Sequence, residues 1–177
     1  MNSNWEGVRP APEECGDVYH TYISTVGAGN IIDILLNQMQ DIYMLIHSLT
    51  PEQASFRYAE EKWTVKEVIG HLIDTERIFA TRCLHFSRED AADLPGFDQD
   101  EYVRNGNFSN RSLQSLGNEY ASLRDASVYL FRSFTREALD RTGTASGYSF
   151  TVRSIPFIIA GHERHHLNIL KTKYGVG

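Results

Sequence analysis

Three of the seven histidines in this sequence, His71, His162 and His166, are spaced so that their imidazoles can converge. His162 and His166 are four residues apart, so on a helix both rings leave the same face one turn from each other. A third imidazole from a facing helix completes a trigonal set of nitrogen donors for one divalent metal, with at least one position left for water or substrate. The incentive is physical: a buried imidazole needs a partner for each ring nitrogen, and each uncompensated buried polar group costs roughly 1–3 kcal/mol. His165 is an alternative second ligand three residues after His162, but it falls about 60° off the inward arc, so His166 is preferred.

His162-Glu163-Arg164-His165-His166 also satisfies the HExxH pattern of zinc peptidases, in which the glutamate is the general base. The match is partly coincidental, because that pattern takes a third ligand further downstream and no His, Asp or Glu follows His166. Glu163 is therefore a candidate base or support for the histidines, with an ion-paired surface role as the alternative. Arg82 lies eleven residues after His71 in the same helical sector, where it can meet an anionic group or a loop carboxylate. Asp98 and Asp100 sit in the Gly96–Glu101 loop and can reach the same pocket, although solvated loop acids are commonplace. His20, His47 and His85 share no spacing with the trio.

The elements that must position these groups follow from periodicity. Ile32, Leu35, Met39, Ile42, Ile46 and Leu49 recur at alternating steps of three and four and predict a helix over 30–48. Thr50-Pro-Glu-Gln53 predicts a short capped turn, and Thr64-Val-Lys-Glu67 is a capping box opening a second helix over 65–88. On that helix Val68, Leu72, Phe79, Cys83 and Phe86 form one apolar arc, and His71 falls inside it. Leu94-Pro-Gly-Phe-Asp98 breaks the chain before a third helix over 111–134, with a short turn over 136–140 and a loop over 143–147 after it. Thr151 caps a last helix over 152–173, whose core face is Ile155, Ile158, Ile159 and Ile169 with His162 and His166 near its centre. Residues 1–29 read as an irregular arm packed through Trp5, Tyr19, Tyr22 and Ile23. The expectation is one all-α domain over 1–177, an antiparallel four-helix bundle with extra short helices and a long connection between its second and third helices.

Composition narrows the function classes. The net charge is −6 and no basic cluster is present, which argues against nucleic-acid binding. No apolar run approaches the roughly 20 residues of a membrane span, and the first residues lack the pattern of a secretory signal, so no membrane association is expected and the cytoplasm is the default location. Cys15 and Cys83 are expected to be free thiols.

With these residues in place, the sequence resembles the DinB-like superfamily, in particular its second DinB-type subfamily, over nearly its whole length. The stretches that carry the resemblance are Leu49-Thr-Pro-Glu-Gln53, Trp63-Thr-Val-Lys-Glu-Val-Ile-Gly-His71-Leu, Leu94-Pro-Gly-Phe-Asp-Gln-Asp100, Arg141-Thr-Gly-Thr144 and Ile159-Ala-Gly-His-Glu-Arg-His-His166. The resemblance implies a four-helix bundle with one histidine ligand on the second helix and two on the fourth, positions filled here by His71, His162 and His166. It also implies a homodimer, zinc or nickel as the metal, and activities that range over thiol S-transfer with a low-molecular-weight thiol cosubstrate, thiol-dependent isomerisation and hydrolysis. Two readings follow. One is an S-transferase or hydrolase acting on a small electrophilic substrate through a metal-activated thiol or water, with Glu163, Arg82 or Asp98 assisting. The other is a non-catalytic metal-binding module that senses or sequesters a small ligand.

Overall fold

A computed structural model of the chain describes residues 3–90 and 92–177. Its helices are α1 (Asp17–Ser24), α2 (Ile31–Ser48), α3 (Pro51–Ser55), α4 (Val65–Ser87), α5 (Gln99–Asn105), α6 (Leu113–Arg132), α7 (Arg136–Leu139) and α8 (Ser154–Lys173). One antiparallel hairpin, β1 (Thr142–Ala145) with β2 (Tyr148–Thr151), precedes α8.

Local chemistry sets the starts of these helices. The Asn30 side chain accepts the Ile32 amide at the start of α2. Thr50 with Gln53 and Thr64 with Glu67 form reciprocal capping boxes on α3 and α4. Ser112 accepts from Ser115 on α6, and Thr151 Oγ1 accepts from the Ser154 amide at the entry to α8. Each such contact satisfies a donor that the first helical turn leaves without a partner.

The long helices α2, α4, α6 and α8 build the bundle. α2 and α4 lie diagonally, each touching α6 and α8. The core has two apolar halves. One holds Leu35 of α2, Phe79 and Phe86 of α4, Val128 of α6 and Ile155 and Ile159 of α8. The other holds Ile42 and Ile46, Val65 and Ile73, Leu116 and Tyr120, and Leu170 of the same four helices. α2 and α8 therefore run from the first half to the second, while α4 and α6 both run back. The antiparallel neighbours are α2 with α6 and α4 with α8. The connection from 88 to 112 returns the chain to the second half, where α4 began, so that α6 lies parallel to α4.

Three expectations change. The segment before Asn30 is not wholly irregular: residues 17–24 form α1, which lies along α8. Trp5 is fully buried and donates its ring N–H to the Phe131 carbonyl at 2.9 Å, pinning the arm over the end of α6. The 143–147 segment is a hairpin rather than a loop. Its two turn residues, Ser146 and Gly147, have φ of 54° and 78°, the left-handed pair that a tight two-residue turn requires. The connection after Asp98 likewise contains α5, which the polar composition of that stretch does not announce.

Between the apolar halves lies a buried polar layer. The Arg124 guanidinium on α6, with no exposed surface, donates to both carboxylate oxygens of Glu76 on α4 at 2.9–3.1 Å. It also donates to Glu163 Oε2 on α8 at 2.5 Å and to the Leu35 carbonyl on α2 at 2.8 Å. One side chain thus ties all four long helices together. Replacing Arg124 with Met keeps the volume and strands two buried carboxylates; urea unfolding should show a loss of about 3–5 kcal/mol. A loss below about 1 kcal/mol would show that the guanidinium is not what compensates them.

Candidate metal centre

Each end of the histidine cluster is placed by a glycine. Gly70 and Gly161 directly precede His71 and His162. A Cβ on Gly161 would lie 2.1 Å from the Tyr22 carbonyl oxygen, so only glycine lets α1 cross α8 at this height. A Cβ on Gly70 would lie 2.2 Å from the Phe108 ring, which packs there on α4. These approaches fix the neighbours of both histidines before any side-chain chemistry is considered.

The three imidazoles meet. His71 Nε2 and His166 Nε2 each lie 3.1 Å from His162 Nε2, and one nitrogen from each ring falls within 4.8 Å of the others. Thr75 Oγ1, one turn along α4, sits 3.4 Å from His71 Nδ1. Trp63 packs against His71 and Tyr22 against His162, with ring centroids 4.8 and 5.4 Å apart. Burial pulls His71 down to about 4 and His166 to about 3 from an ordinary 6.5. It holds His162 well below that value too, helped by the neighbouring rings. At neutral pH all three are unprotonated lone-pair donors. His165 is exposed, stacks edge-on against Tyr22, and is not in the cluster.

Beside the cluster is a cavity of about 200 Å³ walled by Tyr19 and Tyr22 of α1, Phe79 of α4, Ile158 of α8 and Phe97 of the 94–98 loop. His71, His162, Thr75 and Gln99 supply its polar groups. A larger groove of about 690 Å³ runs between the C-terminal ends of α2 and α8, but its only charged side chains are Asp41 and Lys171 and it contains no histidine. The smaller cavity is the one that adjoins the imidazoles.

The other residues singled out in the sequence are placed apart from the imidazoles. Glu163 is buried rather than solvated; its Oε2 accepts from Arg124 and from the Tyr120 hydroxyl at 2.7 Å, while its Oε1 has no partner among the described residues. Burial raises the Glu163 carboxyl above its ordinary value, and Arg124 opposes that rise. Asp98 caps α5, accepting from the amides of Asp100 and Glu101 at 2.9 and 3.0 Å, and so holds Phe97 and Gln99 on either side of it against the cavity. Asp100, in the first turn of α5, is exposed. Arg82 is buried and donates to the Pro95 carbonyl and to Ser146 Oγ of the hairpin turn. Cys15 and Cys83 are both free and buried, and burial pushes Cys15 up to about 11. Sequence reasoning did not find Arg124, Glu76 or Tyr120. Their signal was available: Arg124 is four residues after Tyr120 and three before Ser127 on an inward face, and Glu76 lies between Leu72 and Phe79.

Among the described residues no helix is long and apolar enough to cross a membrane. Comparison with known proteins agrees with the architecture. A protein of Oceanobacillus iheyensis whose name proposes a metal-dependent hydrolase is 24% identical over 127 residues, covering 71% of this chain and 73% of its own. The structure of YfiT from Bacillus subtilis, described as a probable metal-dependent hydrolase with an unusual four-helix bundle topology, superposes with a TM-score of 0.71 at 16% identity. That match covers 86% of this chain and 92% of YfiT and establishes the shared fold. The profile of the DinB superfamily matches residues 35–170, a stretch that carries all three clustered histidines and the whole Arg124 layer, and the chain belongs to that superfamily.

Proposed function

We propose that this protein is a metal-dependent hydrolase in which His71, His162 and His166 hold one divalent ion, zinc or nickel, beside a cavity that receives a small substrate. The observation that carries the reading is the position of His162 Nε2, 3.1 Å from two other ring nitrogens. A neutral imidazole nitrogen offers either one hydrogen or one in-plane lone pair, so it can complete a hydrogen bond with only one of them. A cation shared by three lone pairs removes the conflict. The spacing suits one: tetrahedral zinc with Zn–N near 2.0–2.1 Å sets its ligand nitrogens about 3.3 Å apart. Imidazole serves zinc and nickel alike.

When bound, such an ion acts as a Lewis acid and lowers the pKa of a water or thiol in its open coordination position. The remaining work falls to the chain. Thr75 Oγ1 stands 3.4 Å from His71 Nδ1, and with the ring hydrogen on that nitrogen the Nε2 lone pair of His71 is left for the cluster. The rings of Tyr19, Tyr22, Phe79 and Phe97 exclude bulk water and orient an apolar part of the substrate, and Gln99 offers a polar contact. Glu163 and Asp98 act as positioning residues: the first locks the rotation of α8 through Arg124, the second holds the Phe97–Gln99 segment in place. A second reading, thiol S-transfer, is favoured by the same walls, since four aromatic rings make good neighbours for a sulfur atom.

Elemental analysis of untagged protein should find about one ion per chain, lost in His71→Ala and His162→Ala and kept in His165→Ala. The loaded protein should then turn over ester or amide substrates without added thiol. Turnover only with a low-molecular-weight thiol selects S-transfer; a bound ion with neither activity selects a non-catalytic binding module. No bound metal after loading with zinc or nickel overturns the metal site itself.

The buried imidazoles also set a pH dependence for the metal-free protein. Their folded pKa values lie below 6.5, at about 4 for His71 and about 3 for His166, so the unfolded chain binds more protons in that window. Their contribution is fully present above pH 6.5 and is lost as pH falls toward those values. Urea midpoints recorded from pH 7.5 down to about 4 should fall below 6.5, and less steeply in His71→Leu. A flat profile would contradict the burial of the trio.

A further inference from the structure

Among the described residues two arginines are buried, and they are treated differently. Arg124 faces two carboxylates. Arg82, with only 3% of its surface exposed, pairs with no carboxylate among the described residues. Its Nη2 donates to the Pro95 carbonyl at 3.0 Å and to Ser146 Oγ at 2.8 Å. Its other neighbours are the Phe79 ring, 5.1 Å from the guanidinium carbon, and the Tyr19 hydroxyl. All of these are neutral. A buried charge without a counter-charge is costly, and proteins ordinarily match it.

The guanidinium also lines a second cavity, of about 260 Å³, between α4 and the 94–97 loop. Arg77, the other cation on its wall, is already engaged by Glu119 at 2.5 Å. Phe97 is a wall of both this cavity and the one at the histidines. Arg82 follows His71 by three helical turns, about 16 Å, on the same side of α4. The same side of α4 thus presents neutral nitrogen donors at one cavity and an unmatched positive charge at the next, with the Phe97 ring between them.

We propose that Arg82 is the anchor of an anion-binding subsite, and that the substrate carries a carboxylate or phosphate group at the end remote from its reacting bond. The assignment of the reacting end rests on the metal-centre reading; the anion subsite does not. Guanidinium donors complement planar carboxylates and phosphates, and the missing counter-charge is supplied by the ligand. Burial also disfavours the charged form of Arg82, a cost that a bound anion offsets.

The test follows the arginine Nε–H resonances of metal-free and zinc-loaded protein during titration with inorganic phosphate and, separately, succinate. Arg82 should shift and saturate with at least one of them, in both forms of the protein. Response to phosphate alone identifies a phosphate-bearing substrate, and response to succinate alone a carboxylate. Binding should vanish in Arg82→Gln. It should weaken at least about tenfold in Thr81→Trp, which fills the cavity from its exposed wall and leaves the bonds of Arg82 intact. Zinc content should be unchanged in both variants. Absence of any saturable Arg82 shift, or full-strength anion binding in Thr81→Trp, overturns the subsite. Failure of wild-type protein to bind either zinc or nickel overturns the metal centre and leaves the anion result standing.

Discussion

The rest of the molecule is arranged around one buried guanidinium. Arg124 reaches a carboxylate on α4, another on α8 and a backbone carbonyl on α2, so the four long helices share a single point of reference. Apolar packing alone tolerates small rotations and slides, since one isobutyl group fills a space much as another does. A guanidinium with fixed donor directions does not. Because Glu163 neighbours His162, and Glu76 is five residues past His71, fixing those carboxylates fixes the azimuth from which the imidazoles project. The polar layer that interrupts the core is thus what aims the histidines, and the low dielectric around it makes any misplacement of its members expensive.

The same environment explains the state of the imidazoles. Removed from water and surrounded by aromatic rings, they are uncharged at neutral pH, and their Nε2 atoms meet one another instead of solvent. Such an arrangement is unfavourable without a further partner for the nitrogens. The cluster is a place where buried ring nitrogens lack a full set of partners, whereas the Arg124 layer a turn away is nearly saturated with internal partners.

How much of this could be read from the sequence depends on the range of the interaction. Contacts spanning three or four residues were readable: the boxes of Thr50 with Gln53 and of Thr64 with Glu67 announced α3 and α4, and the phase of His71 against Val68, Leu72 and Phe79 placed it inward. The choice of His166 over His165 followed from the same 40° and 60° offsets on a wheel. Interactions between distant segments were not readable. Glu163 showed as an acid at the edge of a core face, but nothing local says that its partner is an arginine 39 residues earlier. Asp98 looked like a pocket acid because its cap contacts belong to a helix too short and polar to recognise. The hairpin was missed although Ser146-Gly147 between Thr-Gly-Thr-Ala and Tyr-Ser-Phe-Thr carries the turn and β-branched signals of one. The direction of α6 was beyond sequence reasoning, because it depends on where a 25-residue connection, 88 to 112, delivers the chain.

One division of labour follows from the crossing of α1 over Gly161. The matched superfamily region begins at residue 35, after α1 has ended, and it holds every clustered histidine and every member of the Arg124 layer. Tyr19 and Tyr22, which wall the cavity, come from the segment before it. The cavity is thus built from both parts of the chain, two of its rings coming from the leading segment and Phe79, Phe97 and Ile158 from the region that carries the histidines. A lineage could exchange its leading thirty-odd residues, and with them one wall of the cavity, while inheriting the same set of nitrogen donors and the opposite wall.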